Sequence, residues 1–497
     1  MIALSVLKAG CRSLLFVAAT AMFLPASFAG EDVPASPSDS EIAEHIERVA
    51  AGLLGPVVVS GEPAMKLTDR MSELHIPGVS IAVIHNGNVQ WARGFGLTAI
   101  GGSPVTPDTL FQAGSISKPV SAVAALALVQ AGRLDLDADV NRYLRSWKVP
   151  ANSFTDQAKV TLRELLSHSA GTTVHGFEGY RAGAPIPSLV DVLNGAPPAN
   201  SAPIVVDILP GTAFRYSGGG YTIVQQLLID VTDEPFASLV DRTVLGPFGM
   251  THSHFDQPLP VQESGAAATP YLSTGEPVPG GPHTYPELAA AGLWTTPTDL
   301  ARFALALQDT LAGRATPVLS QAMAREMLTP GFGGYGLGLA IGGRPRNRYF
   351  THGGVDAGFE NMMVAYETGD GAIVMTNGVG GTQLAMEVIR SIANEYHWPG
   401  WHAVEHKSAI VDPKLFDAYV GRYQLDPNRV FTVSRVEDGL FVQLTGQSNF
   451  QVFPESERDY FYKVVAAQIT FIADDQGHVT ELILHQNGSE RHAKRIE

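Results

Sequence analysis

The chain has 497 residues, too many for one ordinary domain. Its 45% apolar and 16% charged residues can build a sizeable core, which excludes a disordered chain. The formal net charge is −16, and no basic block or aromatic-basic stripe interrupts that acidity, which argues against a nucleic-acid partner.

Residues 1–29 read as a secretory signal. Lys8 and Arg12 supply a basic start, Leu14 to Leu24 an apolar stretch, and Ser27-Phe28-Ala29 a small-x-small cleavage site. The stretch is short for a membrane span. The expected mature protein is exported, periplasmic or secreted, after cleavage near Ala29. Cys11 is the single cysteine and lies inside this signal, so the mature chain is expected to hold no disulfide and no thiolate metal site. No later run of about 18 apolar residues occurs, so no stable membrane span is expected beyond the signal.

Residues 30–41 read as a flexible leader, Pro/Ser-rich over Glu31 to Ser40. Ile42 to Leu53 is helix-periodic. Val79 to Ile84, Asn86-Gly87 and Val89 to Ala92 predict a β-hairpin, because Asn-Gly suits a two-residue turn. Ser115-Ile116-Ser117-Lys118 then opens a helix that is apolar almost all round, hence buried, with Gly132 as its C-terminal cap. Helical patterns dominate from Thr161 to about Asp309. Tyr335 to Leu339, Asn361 to Tyr366 and Ala372 to Thr376 predict strands, and Gln383 to Tyr396 a helix. The early and late strands are expected to share one antiparallel sheet, with the helical region inserted between them.

Residues 42–398 are thus expected to form one domain, 399–412 a linker, and 413–497 a small β-domain. In that tail, strands flank turns at Asp438-Gly439, Asp475-Gln476-Gly477 and Asn487-Gly488, which suits a barrel or sandwich.

The chemistry begins at Ser115. Serine is a weak nucleophile without an adjacent base. Helical spacing puts Ser115 and Lys118 on one face, and a lysine desolvated at an apolar helix start gives up its proton more readily. A helix N-terminus also favours developing negative charge. Two later segments join this pair: Tyr216-Ser217-Gly218 after a Pro210-Gly211 turn, and His352-Gly353-Gly354-Val355 on a predicted strand. His252-Ser253-His254 imitates a metal pair but lacks a third ligand nearby, and His168 reads as a packing or capping residue. No G-x-S-x-G occurs.

In this order, Ser115–Lys118, Tyr216-Ser217-Gly218 and His352-Gly353-Gly354 resemble the S-x-x-K, Y-x-N and K-T-G or H-x-G motifs of the serine hydrolases related to class C β-lactamases and low-molecular-mass penicillin-binding proteins, with D-aminopeptidases and family VIII carboxylesterases among them. Leu165 to Gly171 and Ala291 to Thr295 support the match, which covers about residues 42–398. The resemblance implies a transpeptidase-like α/β sandwich: an antiparallel sheet, flanking helices and an all-helical insertion. It implies Ser115 as nucleophile, Lys118 as its base and Tyr216 as a second proton shuttle. The backbone N–H groups of Ser115 and Val355 would form the oxyanion hole. His352, Gly353 and Gly354 would line the substrate site. No metal or organic cofactor is implied.

Two departures bear on substrate. Gly218 stands where the family carries an asparagine amide, and His352 replaces a lysine that would face a substrate carboxylate. The expected substrate is a small molecule or short peptide. A peptide amide, with D- or otherwise unusual residues among the candidates, comes first. A short-chain ester, a weak β-lactamase or carboxypeptidase activity, and a non-catalytic binding protein stay open.

Overall fold

The computed structural model describes residues 38–314 and 318–497. The expected signal and most of the expected leader lie outside these residues.

The hairpin forms as its turn chemistry dictates. Strands Gly78–His85 and Asn88–Gly96 pair antiparallel around Asn86 and Gly87, both at positive φ. They join Gly371–Thr376, Phe359–Tyr366, Tyr349–Asp356 and Ala340–Gly342 in one six-stranded antiparallel sheet. Side chains alternate across this sheet. Val79, Ile81 and Val83 face the helices Asp39–Ala51 and Gly381–Glu395. Ala82 and Ile84 face the opposite layer, which contains the helix Pro297–Leu311 and the helical region inserted between the hairpin and the late strands. The result is the expected sandwich.

Three local expectations need correction. Tyr335 to Leu339 is not a strand. Gly333, Gly334 and Gly338 adopt positive φ there, so the chain coils through a 3₁₀ turn and pairs only from Ala340. The leader's last residues are helical, because Ser38 caps the first helix with Glu41 in a reciprocal capping box. In the tail, the turn lies at Glu437-Asp438, since Gly439 already pairs with Val436.

The tail closes into an eight-stranded antiparallel barrel, Gly421–Asp426 pairing with both Arg429–Val436 and Ser489–Arg495. Its interior is filled by Tyr423, Phe431, Leu440, Tyr460, Ile469, Phe471 and Leu482, so it is a packed core. The stretch between the domains contains a short strand, Val404–His406, which pairs in parallel with Val57–Val59. The barrel strand residue Phe461 packs on Val57 and Val59. Among the described residues, no helix is long and apolar enough to cross a membrane.

Candidate active site

Ser115 sits in a 3₁₀ turn, Gly114–Ile116, and the α-helix proper runs Ser117–Gln130. The tighter turn still aligns residues three apart. Lys118 Nζ therefore donates to Ser115 Oγ at 2.8 Å, and also to Ala290 O at 2.8 Å. Lys118 is buried while Ser115 is half-buried. Pro119 is tolerated in the first turn, where its missing N–H costs nothing. Gly132 follows the helix at positive φ, as a C-terminal cap requires.

The turn is clamped from outside the helix. Ser117 Oγ donates to Gly114 O and accepts the Leu293 N–H, while the Ala113 N–H donates to Leu293 O. This ties the segment Ala290 to Leu293 against the serine and explains why Ala291 to Thr295 belongs with the motifs.

Tyr216 precedes the helix Gly218–Thr232, capped by Ser217, whose Oγ accepts the Gly220 N–H. The Tyr216 ring lies under Lys118, with Nζ 5.0 Å from its centroid. His168 packs against that ring at a tilt, 4.2 Å between centroids, and its Nδ1 accepts the Ser217 N–H. Burial and the Lys118 charge hold His168 well below the ordinary histidine range. His168 thus packs, as expected, and what it packs is Tyr216.

Gly218 also gains a physical reason. A Cβ there would meet the Phe177 ring at 3.0 Å and His175 O at 3.2 Å. The loop His175 to Phe177 occupies the room that a side-chain amide would need.

The third segment runs along strand Tyr349–Asp356. Period-2 alternation buries Phe350, His352, Gly354 and Asp356 on one face and exposes Val355 on the other. Gly354 packs so tightly on the serine turn that a Cβ would lie 1.8 Å from Ala113 O. Gly114, at φ +54°, lies against Val355, where a Cβ would reach within 2.5 Å of Val355 N. The backbones of Ser115 and Val355 are therefore neighbours. His352 Nδ1 lies 2.5 Å from Gly353 O and must donate to it, which leaves Nε2 as an unpartnered acceptor. Burial, with the Lys118 charge, lowers the His352 pKa to about 3. His352 is thus neutral near pH 7 and cannot act as the cation that a lysine would supply there.

These groups line one cleft of about 760 Å³, with Ser115, Lys118, Tyr216, His352, Gly353 and Val355 in its wall beside Phe177, Tyr335 and Met362. No barrel residue lines it. His252 and His254 lie elsewhere; His254 pairs with Glu263 at 2.8 Å.

Sequence reasoning missed two acids here. Asp356 lies in the cleft wall, and Glu287 is fully buried. Neither carboxyl has a hydrogen-bond partner at ordinary geometry. The Gly114 N–H and the Tyr285 hydroxyl lie near Asp356, but burial dominates and pushes its pKa well up. Alternation from His352 was the available signal for Asp356. Glu287 had none, since nothing local in the sequence marks it as buried.

Burial raises the Glu287 pKa from 4.5 to about 7. The folded state then keeps a proton that the unfolded chain releases. The stabilisation is fully present below about pH 4.5 and is lost as pH rises through 7. Glu287→Gln removes this titration. Relative to the wild type, the variant should gain about 2–3 kcal/mol between pH 5 and 8, at about 1.4 kcal/mol per pKa unit. Denaturant unfolding at both pH values reads this, and a pH-independent difference contradicts it.

A family model described as Beta-lactamase matches residues 64–396, and one described as Domain of unknown function (DUF3471) matches residues 405–495. Penicillin-binding protein 4* of Bacillus subtilis (strain 168) is 22% identical over 462 residues, covering 87% of this chain and 98% of its own. The octameric penicillin-binding protein homologue from Pyrococcus abyssi superposes with a TM-score of 0.60 at 22% identity, over 86% of this chain and 98% of that one. SurE with D-Leu gives a TM-score of 0.53 at 21% identity, over 86% and 97%. The ordered motifs, the sandwich around one serine-lysine cleft and the match over residues 64–396 lead to one conclusion: the chain belongs to the β-lactamase family and is one of its serine hydrolases.

Proposed function

We propose that this protein, exported through its N-terminal signal, hydrolyses short peptide amides through an acyl-enzyme on Ser115. The observation that carries the reading is the 2.8 Å contact between Lys118 Nζ and Ser115 Oγ inside a cleft roofed by Tyr216.

Lys118 accepts the Ser115 proton as Oγ attacks the substrate carbonyl. The oxyanion forms at the adjoining N–H groups of Ser115 and Val355, preorganised because strand and turn are locked together at Gly354. Tyr216, whose ring faces the Lys118 amine, passes a proton to the leaving nitrogen and later helps activate the hydrolytic water. His168 holds the Tyr216 ring in place.

The same wall speaks against β-lactams. A lactam carboxylate calls for a fixed cation, and His352 supplies a neutral acceptor instead. An ester remains the second reading, because Phe177, Tyr335 and Met362 offer apolar surface to an acyl chain.

The test is kcat/KM of wild type and Ser115→Ala on D- and L-leucyl peptides, a short acyl nitrophenyl ester and a chromogenic cephalosporin. D-leucyl peptides are included because SurE shares the fold and was solved with D-Leu. Ser115-dependent peptide turnover above ester turnover is expected. Ester turnover alone moves the protein to an esterase, and a preference for the cephalosporin overturns the reading.

A further inference from the structure

The charges around the cleft are unequal. Its acidic and basic wall residues, histidine aside, are Lys118, Glu178 and Asp356, and no arginine lines it. The Lys118 amine is already engaged with Ser115 and Ala290. Glu178 is exposed at the rim. Asp356 is only 5% exposed, borders the cavity, and has both carboxyl oxygens without a hydrogen-bond partner.

An unpartnered buried carboxyl is costly unless a cation or donor meets it. The Gly114 N–H and the Tyr285 hydroxyl lie near it without closing a hydrogen bond at ordinary geometry, and Lys118 attracts it, but among the described residues no cation forms an ion pair with it, and the Glu287 carboxyl opposes its charge. On the strand, His352 and Asp356 lie two residues either side of Gly354, the point where the serine turn packs. The cleft therefore has an acceptor at one end, an acid at the other, and Ser115 between them.

From this geometry we propose that Asp356 receives the primary ammonium group of the substrate, so that the enzyme reads a free amino terminus. The inference deepens the peptide reading above and rests on it for the bond cleaved, though not for the recognition itself. An incoming ammonium satisfies the buried carboxyl as carboxylate, and the carboxyl proton leaves to solvent. N-acylation of the substrate removes the partner and leaves Asp356 unpaired, which is how a buried polar site discriminates strongly.

The test uses protection of Ser115 from a fluorophosphonate label, which needs no turnover. L- and D-leucinamide are compared with their N-acetyl forms, on the wild type and on Asp356→Asn. In the wild type, the better free-amine form should half-protect at a concentration at least about tenfold lower than its N-acetyl form, equivalent to about 1.4 kcal/mol. Asp356→Asn should bring that ratio to about one. Equal protection in the wild type overturns the proposal without recourse to any variant. So does an amine preference that survives in Asp356→Asn. Amine preference without peptide turnover would retain Asp356 and overturn the peptide reading; peptide turnover without amine preference would do the reverse.

Discussion

Ser115→Ala and Lys118→Ala should each lower kcat/KM by about 10⁴-fold or more, because a nucleophile and its base act as a unit and either loss removes both contributions. The structure gives each residue one partner for this purpose. Ser115 Oγ accepts from Lys118, whose other hydrogen bond among the described residues goes to Ala290 O. Ser115→Ala removes one atom from a half-buried site, so its unfolding transition should match the wild type. Lys118→Ala empties a buried volume and should cost about 2–4 kcal/mol as well. Activity and denaturant unfolding of the two variants separate the effects. Substantial turnover by Ser115→Ala would remove Ser115 from the chemistry.

The second large effect comes from a residue with no reactive atom. Gly354→Ala should reduce kcat/KM by about 10²-fold or more, since a displacement of about 1 Å at a catalytic constellation has that cost. A Cβ at Gly354 would lie 1.8 Å from Ala113 O, a backbone atom that cannot rotate away, so strand and serine turn must separate. That separation parts Val355 from Ser115. Gly353→Ala is the contrast within the same motif. Its Cβ would find Met362 Sδ at 3.6 Å and Asn361 O at 3.7 Å, ordinary contacts. It should fold with nearly wild-type stability and lose far less activity. Equal losses in both variants would show that the H-x-G segment does not set the geometry of the serine turn.

Much of this was legible before any coordinates. Asn86-Gly87 announced the hairpin, the apolar run after Lys118 announced a buried helix, and the order of three motifs announced the cleft. What escaped reading depended on contacts between distant segments. Tyr335 to Leu339 has strand-like alternation, yet its neighbouring glycines at positive φ coil the backbone, and Tyr335 turns instead into the aromatic cluster with His168 and Tyr216. His168 was recognisable as a packing residue, but not as the support of Tyr216, because the two lie 48 positions apart and meet only in the folded chain, through their rings and the Ser217 N–H. Glu287 precedes an ordinary apolar segment, and nothing local in the sequence marks it as fully buried. The tail's regular turn residues made its strands legible. Closure into a filled barrel follows from the register of first and last strands, which no local pattern encodes.

The central claim is that Ser115, and no other serine of its turn, carries the acyl group. The most direct measurement is intact-mass analysis followed by peptide mapping, after brief reaction with a fluorophosphonate and, separately, a leucyl nitrophenyl ester quenched in acid. Ser117 is the natural internal control, since it lies two residues away but is fully buried and bonded to Gly114 O and Leu293 N. A single adduct on Ser115, absent in Ser115→Ala and strongly slowed in Lys118→Ala, is the predicted result. An adduct on Ser117 or outside the cleft, or labelling that persists in Ser115→Ala, would contradict the account.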